Sequence, residues 1–142
     1  MSKQTHLVVL VVIERDGKFL LTKRHEVSNE GEPGWGHDMW QLPGGGVEWN
    51  ETPEEAAVRE AKEEIGVDVK LIKLVPQTFS RTDEASGWHG VFLIFTAETI
   101  PPQAPIVINE EASEFGFFSR AEAANLPALP LTLPVLSAAC KG

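Results

Sequence analysis

Thr52-Pro53-Glu54-Glu55 and Gly66 bracket the stretch that most limits how this chain can fold. Thr52 can accept the unpaired amide of Glu55, Glu55 can return a bond to Thr52, and Pro53 suits a first helical position, so a helix starts here. Gly66 can take the left-handed conformation that ends it. Projected at about 100° per residue, Glu60, Glu63 and Glu64 fall on one carboxylate stripe. Ala57, Val58, Ala61 and Ile65 form a separate apolar arc fit to pack on a sheet. Ala56 lies one turn below the stripe and leaves room above it. Like charges at i, i+3 and i+4 repel. Taken alone, the stripe reads as a solvated acidic face; a bound Mg²⁺, which prefers oxygen ligands, is the alternative that offsets the repulsion.

The flanking patterns are strand-like. Leu7–Ile13 is an apolar, mostly β-branched run, far short of the ~20 residues of a membrane helix, and reads as a buried strand. A turn at Asp16-Gly17 leads into a second strand, Phe19–Thr22, making a hairpin. Residues 23–39 contain Gly31, Pro33, Gly34 and Gly36 and read as a long loop. Trp40-Gln41-Leu42 is a short strand entering the glycine loop Gly44-Gly45-Gly46. Strands are expected in 67–75, 77–80, 91–97 and 115–118, with a polar loop over 82–87. Ser119 caps a short helix through Asn125, and 133–140 is a last helix. The pattern is that of one α/β domain over 1–142.

Twelve Lys and Arg against 21 Asp and Glu give a net charge of −9 in 142 residues. A duplex DNA or RNA surface needs a basic stripe and is excluded as a partner. A small phosphorylated ligand is not, because a divalent cation can stand between acidic protein and anionic substrate. One cysteine, Cys140, can form no internal disulfide, and no membrane or targeting segment is legible. A cytoplasmic address is therefore expected.

Gly45, Glu51, Arg59, Glu60, Glu63, Glu64 and Gly66 follow the pattern G-x5-E-x7-R-E-x-x-E-E-x-G, with Ala61 and Val67 at its apolar positions. This resembles the Nudix box of the Nudix (MutT-like) hydrolases at every fixed position. The lead-in Leu42-Pro43-Gly44-Gly45 and the later Phe117-Phe118-Ser119 are also similar to that family. The resemblance implies a Nudix fold, an α/β/α sandwich with a mixed sheet, and hydrolysis of a pyrophosphate bond in a nucleoside diphosphate linked to another group. It implies Mg²⁺, with Mn²⁺ a substitute, on the Gly44 carbonyl and the carboxylates of Glu60, Glu63 and Glu64. Arg59 can pair with Glu51 to fix the loop on the helix, pointing off the metal stripe. Asn50 stands where many relatives carry glycine; it tolerates the left-handed region, so the turn survives.

Other roles follow from the same resemblance. Gly45 lets the backbone approach substrate, and Arg24, ending the second strand, is placed to contact phosphate. Glu110 and Glu111 lie where relatives supply a further carboxylate; Glu111, nearer the following strand, is preferred as the helper that orients or deprotonates water. Trp35 in the glycine-rich loop is the stacking candidate for a base, whereas Trp40 is expected in the core. The substrate is a small nucleotide, best read as a nucleoside or deoxynucleoside triphosphate. A nucleotide sugar is the alternative, and a catalytically silent nucleotide-binding module the third reading. A homodimer through a free sheet edge stays open.

Overall fold

The computed structural model describes residues 2–141. A mixed sheet is built on β1 (Gln4–Arg15), which pairs in parallel with β7 (Trp88–Ile100) from Gln4↔Trp88 to Ile13↔Ala97. Among the described residues all other strand–strand pairings are antiparallel, and Trp40 adds one isolated parallel bridge to Ala128. The Asp16-Gly17 turn joins β1 to β2 (Lys18–Arg24), which carries β3 (Trp40–Gln41) and β8 (Ala112–Phe118). On the other side β7 carries β5 (Asp68–Leu74) and β6 (Phe79–Asp83). The strand order is β3-β2-β1-β7-β5, with β4 (Gly44–Gly46) beside β1.

Period-two alternation along β1 supplies both faces of the sheet. Val9, Val11 and Ile13 pack into one core with Ala56, Ala57, Ala61 and Ile65 of α1 (Pro53–Ile65). Val8, Leu10 and Val12 face a second core with Trp40, Leu42 and Ile94. Val135 and Leu136 of α3 (Thr132–Ala139) and Ala123 of α2 (Arg120–Ala123) close that layer. Helices on both faces of a mixed sheet make the expected α/β/α sandwich. No helix among the described residues is long and apolar enough to cross a membrane.

The expected capping box of Thr52 with Glu55 forms, and Ser119 caps its helix as expected, with Glu122 completing a second box. Gly66 ends α1 in the left-handed conformation at φ 66°, and Asn50 adopts φ 65°. Three expectations need correction. Gly44–Gly46 is a strand paired to β1, because Val8–Leu10 offers it a ladder that local sequence does not reveal. The strand expected to stop at Ser80 runs to Asp83, and its partner begins at Trp88, so the polar loop shrinks to the turn between them. Val58 is 40% exposed and Ala56 is fully buried. The glycine strand lets α1 settle toward its carboxylate side, which rotates the buried arc by one residue.

Alanines at 56, 57 and 61 set how closely α1 approaches the sheet. Ala61→Leu should cost about 1–3 kcal/mol by overpacking, whereas Val58→Leu on the outer face should stay within about 0.5 kcal/mol. Urea unfolding midpoints of the two variants check this.

Candidate active site

The stripe on α1 is drawn against β4. A Cβ on Gly44 would collide with the Val9 carbonyl oxygen, and one on Gly45 would stand 2.5 Å from Glu60 Oε1. Glycine is therefore what allows the helix carboxylates to touch the strand. The Gly44 amide donates to Glu64 Oε2 at 3.3 Å.

Arg59 ties the assembly together. Its Nε and Nη2 donate to the two oxygens of Glu51 at 2.7 and 3.0 Å, a bidentate pair. Nη2 also reaches the Gly46 carbonyl at 2.9 Å, while Nη1 donates to Glu60 at 2.9 Å and Glu63 at 3.3 Å. The expected pairing with Glu51 forms, but Arg59 does not point off the stripe. Its stem leaves the helix beside Glu60, and its length brings the guanidinium back over both glutamates. The Arg59 hydrogen bonds, joined by the Glu48 amide, hold the Glu51 carboxyl down at about 2.

Burial does the opposite to the next pair. Glu60 and Glu64, one turn apart, are both shifted upward, first by loss of water and, for Glu64, then by the Glu60 charge. Crowded carboxylates of this kind are stabilised in their charged form by a nearby cation. Among the described residues no three His, Cys, Asp or Glu side chains are already closed into a metal cage. Arg59 Nη1 engages one oxygen each of Glu60 and Glu63. By its chemistry the donor set, carboxylate oxygens half-screened from water, fits Mg²⁺ or Mn²⁺.

Glu110 and Glu111 face the stripe across an acidic cleft of about 560 Å³, also lined by Gly44, Gly45, Glu60 and Glu64. The Glu111 charge acts on Glu64. Asn109, which sequence reasoning missed, holds Glu111 there: its Oδ1 accepts the Glu111 amide at 3.0 Å and its Nδ2 donates to Glu111 Oε2 at 3.2 Å. The same Nδ2 donates to the Glu63 carbonyl at 3.0 Å, fastening this loop to the last turn of α1. The His25 amide donates to the Glu111 carbonyl at 2.9 Å.

A second cavity of about 540 Å³ adjoins the cleft across Gly44 and Gly45. Arg24 and Gln41 border both. Val8, Leu10 and Phe92 give it an apolar floor, and Trp35 and Trp88 stand at its side. Arg24 donates to Glu26 at 2.6 Å and to the Trp35 carbonyl at 3.3 Å. Trp35 is half exposed, Trp40 is in the core as expected, packed against Phe118, and Trp49 is solvent-exposed. Arg81 and Trp88, both on this cavity, were also missed. A strand reading carried on to Asp83 would have put Phe79, Arg81 and Asp83 on one face.

The Arg59 network predicts a stability effect. Arg59→Ala leaves Glu51 unpaired and lowers Tm by several degrees, and Arg59→Lys recovers only part because it lacks the fork. Thermal melts without added metal check both.

Residues 4–138 match the NUDIX domain family. The CTP pyrophosphohydrolase of Escherichia coli K12 is 31% identical over 138 residues, covering 92% of this chain and 88% of that protein. An ADP-ribose pyrophosphatase of Methanocaldococcus jannaschii is 36% identical over 118 residues. That match covers 83% of this chain but only 62% of the relative, so the chain spans less than two-thirds of its length. A crystal structure of a MutT NUDIX hydrolase from Burkholderia pseudomallei aligns with a TM-score of 0.79 at 27% identity, covering 95% of this chain and 98% of its own. With a family match over nearly its whole length and a complete box folded as one strand, loop and helix, this chain belongs to the Nudix hydrolase family.

Proposed function

We propose that this Nudix pyrophosphohydrolase acts on nucleoside or deoxynucleoside triphosphates, releasing a monophosphate and pyrophosphate. The observation that carries the reading is the junction of two unlike cavities across β4. One is apolar and aromatic, suited to a base, and the other is acidic, suited to metal-bound phosphates. Similarity to a CTP pyrophosphohydrolase over most of both chains supports the same reading.

Each residue then has a task. Glu60, Glu63 and Glu64, with the Gly44 carbonyl, would hold Mg²⁺ or Mn²⁺. When bound, the ion polarises phosphoryl oxygens and makes a bound water more acidic. Arg24, at the border of the cavities, receives a phosphate, and Gly45 lets the chain approach it. Arg59 and Glu51 keep the loop and helix in register. Glu111, steadied by Asn109, accepts the water proton. The water oxygen bonds to one phosphorus of the α–β anhydride, and the bridging oxygen departs with the other.

A nucleotide-sugar substrate is the second reading, favoured by the relative named an ADP-ribose pyrophosphatase. Product analysis separates the two: pyrophosphate from a triphosphate, two monophosphate products from ADP-ribose. A catalytically silent module would release neither.

With Mg²⁺ and a nucleotide panel, pyrophosphate release should stop on chelation and return with Mg²⁺ or Mn²⁺. Glu64→Gln should lower turnover on the order of 10²-fold or more. Its Tm should hold or rise, because the substitution relieves like-charge crowding. Near-normal turnover in that variant at saturating metal would overturn the mechanism. Glu111→Gln should slow the reaction markedly more than Glu110→Gln; equal, near-wild-type rates would clear this loop.

A further inference from the structure

The aromatic cavity holds a cation with no task in the reading above. The Arg81 guanidinium carbon lies 4.3 Å from the Trp35 ring centroid and 4.8 Å from that of Trp88. His6 stacks on Trp88 at 5.8 Å and 15°, so the wall runs imidazole, indole, guanidinium, indole. Arg24 also borders Trp35, at 5.9 Å, but it already donates to Glu26, Gln41 and the Trp35 carbonyl, and its remaining N–H groups are the ones assigned to phosphate above. Asp83, two residues beyond Arg81 on the same strand face, is engaged with Ala85 and Ser86. Among the described residues Arg81 donates no side-chain hydrogen bond and forms no ion pair.

A guanidinium lying against indole faces keeps its N–H edge free and in a fixed plane. Arg81 is therefore a rigid fork of donors beside an apolar floor of Val8, Leu10 and Phe92. Its position separates it from phosphate binding: Arg24 borders both cavities, whereas Arg81 borders only the aromatic one. A donor fork is satisfied by two adjacent acceptors. Cytosine offers O2 and N3, and guanine offers O6 and N7. On adenine the N6 amino donor sits beside both N1 and N7, so one arm of the fork meets another donor.

We propose that Arg81 is the base-reading residue of this pocket, selecting nucleotides whose base presents two adjacent acceptors, cytosine or guanine, over adenine nucleotides. The inference rests on the triphosphate reading for its catalytic consequence but not for base binding itself. Pre-stacking by Trp35 and Trp88 means that little ordering remains when the base arrives.

Two measurements test it on wild type, Arg81→Ala and Arg81→Lys, each checked for folding by circular dichroism. One is kcat/KM with Mg²⁺ for CTP, GTP, UTP and ATP. The other is metal-free tryptophan quenching by CMP, GMP and AMP. Wild type should prefer CTP or GTP to ATP on the order of 10-fold or more, with CMP or GMP binding preferred likewise. Both variants should compress these ratios to within about threefold, because Lys restores charge but not the fork. The inference is overturned by an equal loss on all bases, by a base order unchanged in Arg81→Ala, or by full rescue with Lys. Wild type that turns over triphosphates without base preference also sinks it. Wild type that releases pyrophosphate from no triphosphate, yet binds CMP or GMP selectively through Arg81, sinks the triphosphate reading and supports the base assignment.

Discussion

Mutual repulsion among the α1 carboxylates is the force around which this molecule is arranged. Glu60 and Glu64 are packed against a glycine strand and partly removed from water, with Glu63 beside them. Left unopposed, such crowding would favour unwinding of the helix or its departure from the sheet. One guanidinium, Arg59, answers it by joining Glu51, Glu60, Glu63 and the Gly46 carbonyl. The loop, the glycine strand and the helix are thus fastened by the same charges that crowd the helix face. Strain and function share one set of atoms.

Much of this was legible from residue types and spacing. The ends of α1 follow from capping chemistry that acts within a few residues, and the box residues are fixed by their spacing. The pairing of Arg59 with Glu51 was also readable, since both sit on one loop–helix unit. What the guanidinium does beyond that pair was not. A projection by helical angle places the Cβ atoms and says nothing of where a long flexible stem ends.

Contacts between distant strands were hidden for a different reason. Gly44–Gly46 carries no side chain to give a strand pattern, and only the register with Val8–Leu10 makes it one. Arg81, Trp88 and Trp35 come from β6, β7 and the loop after β2, and nothing local links them. Asn109 is similar: its value lies in reaching the end of α1 while holding Glu111. A carboxylate stripe can be read from a helix, whereas a wall assembled from separate strands must be seen folded.

The alternation of β1 divides labour between neighbouring residues. Val9, Val11 and Ile13 lie under α1 and support the carboxylate-bearing helix. His6, Val8 and Leu10 line the aromatic cavity. Adjacent positions therefore carry different packing tasks, and the shape of the cavity can drift through even-numbered sites while the helix platform is preserved at odd-numbered ones. Val8 and Leu10 also pack against the second core, so such drift has to be matched by repacking toward α3, on the face of the sheet away from the carboxylates.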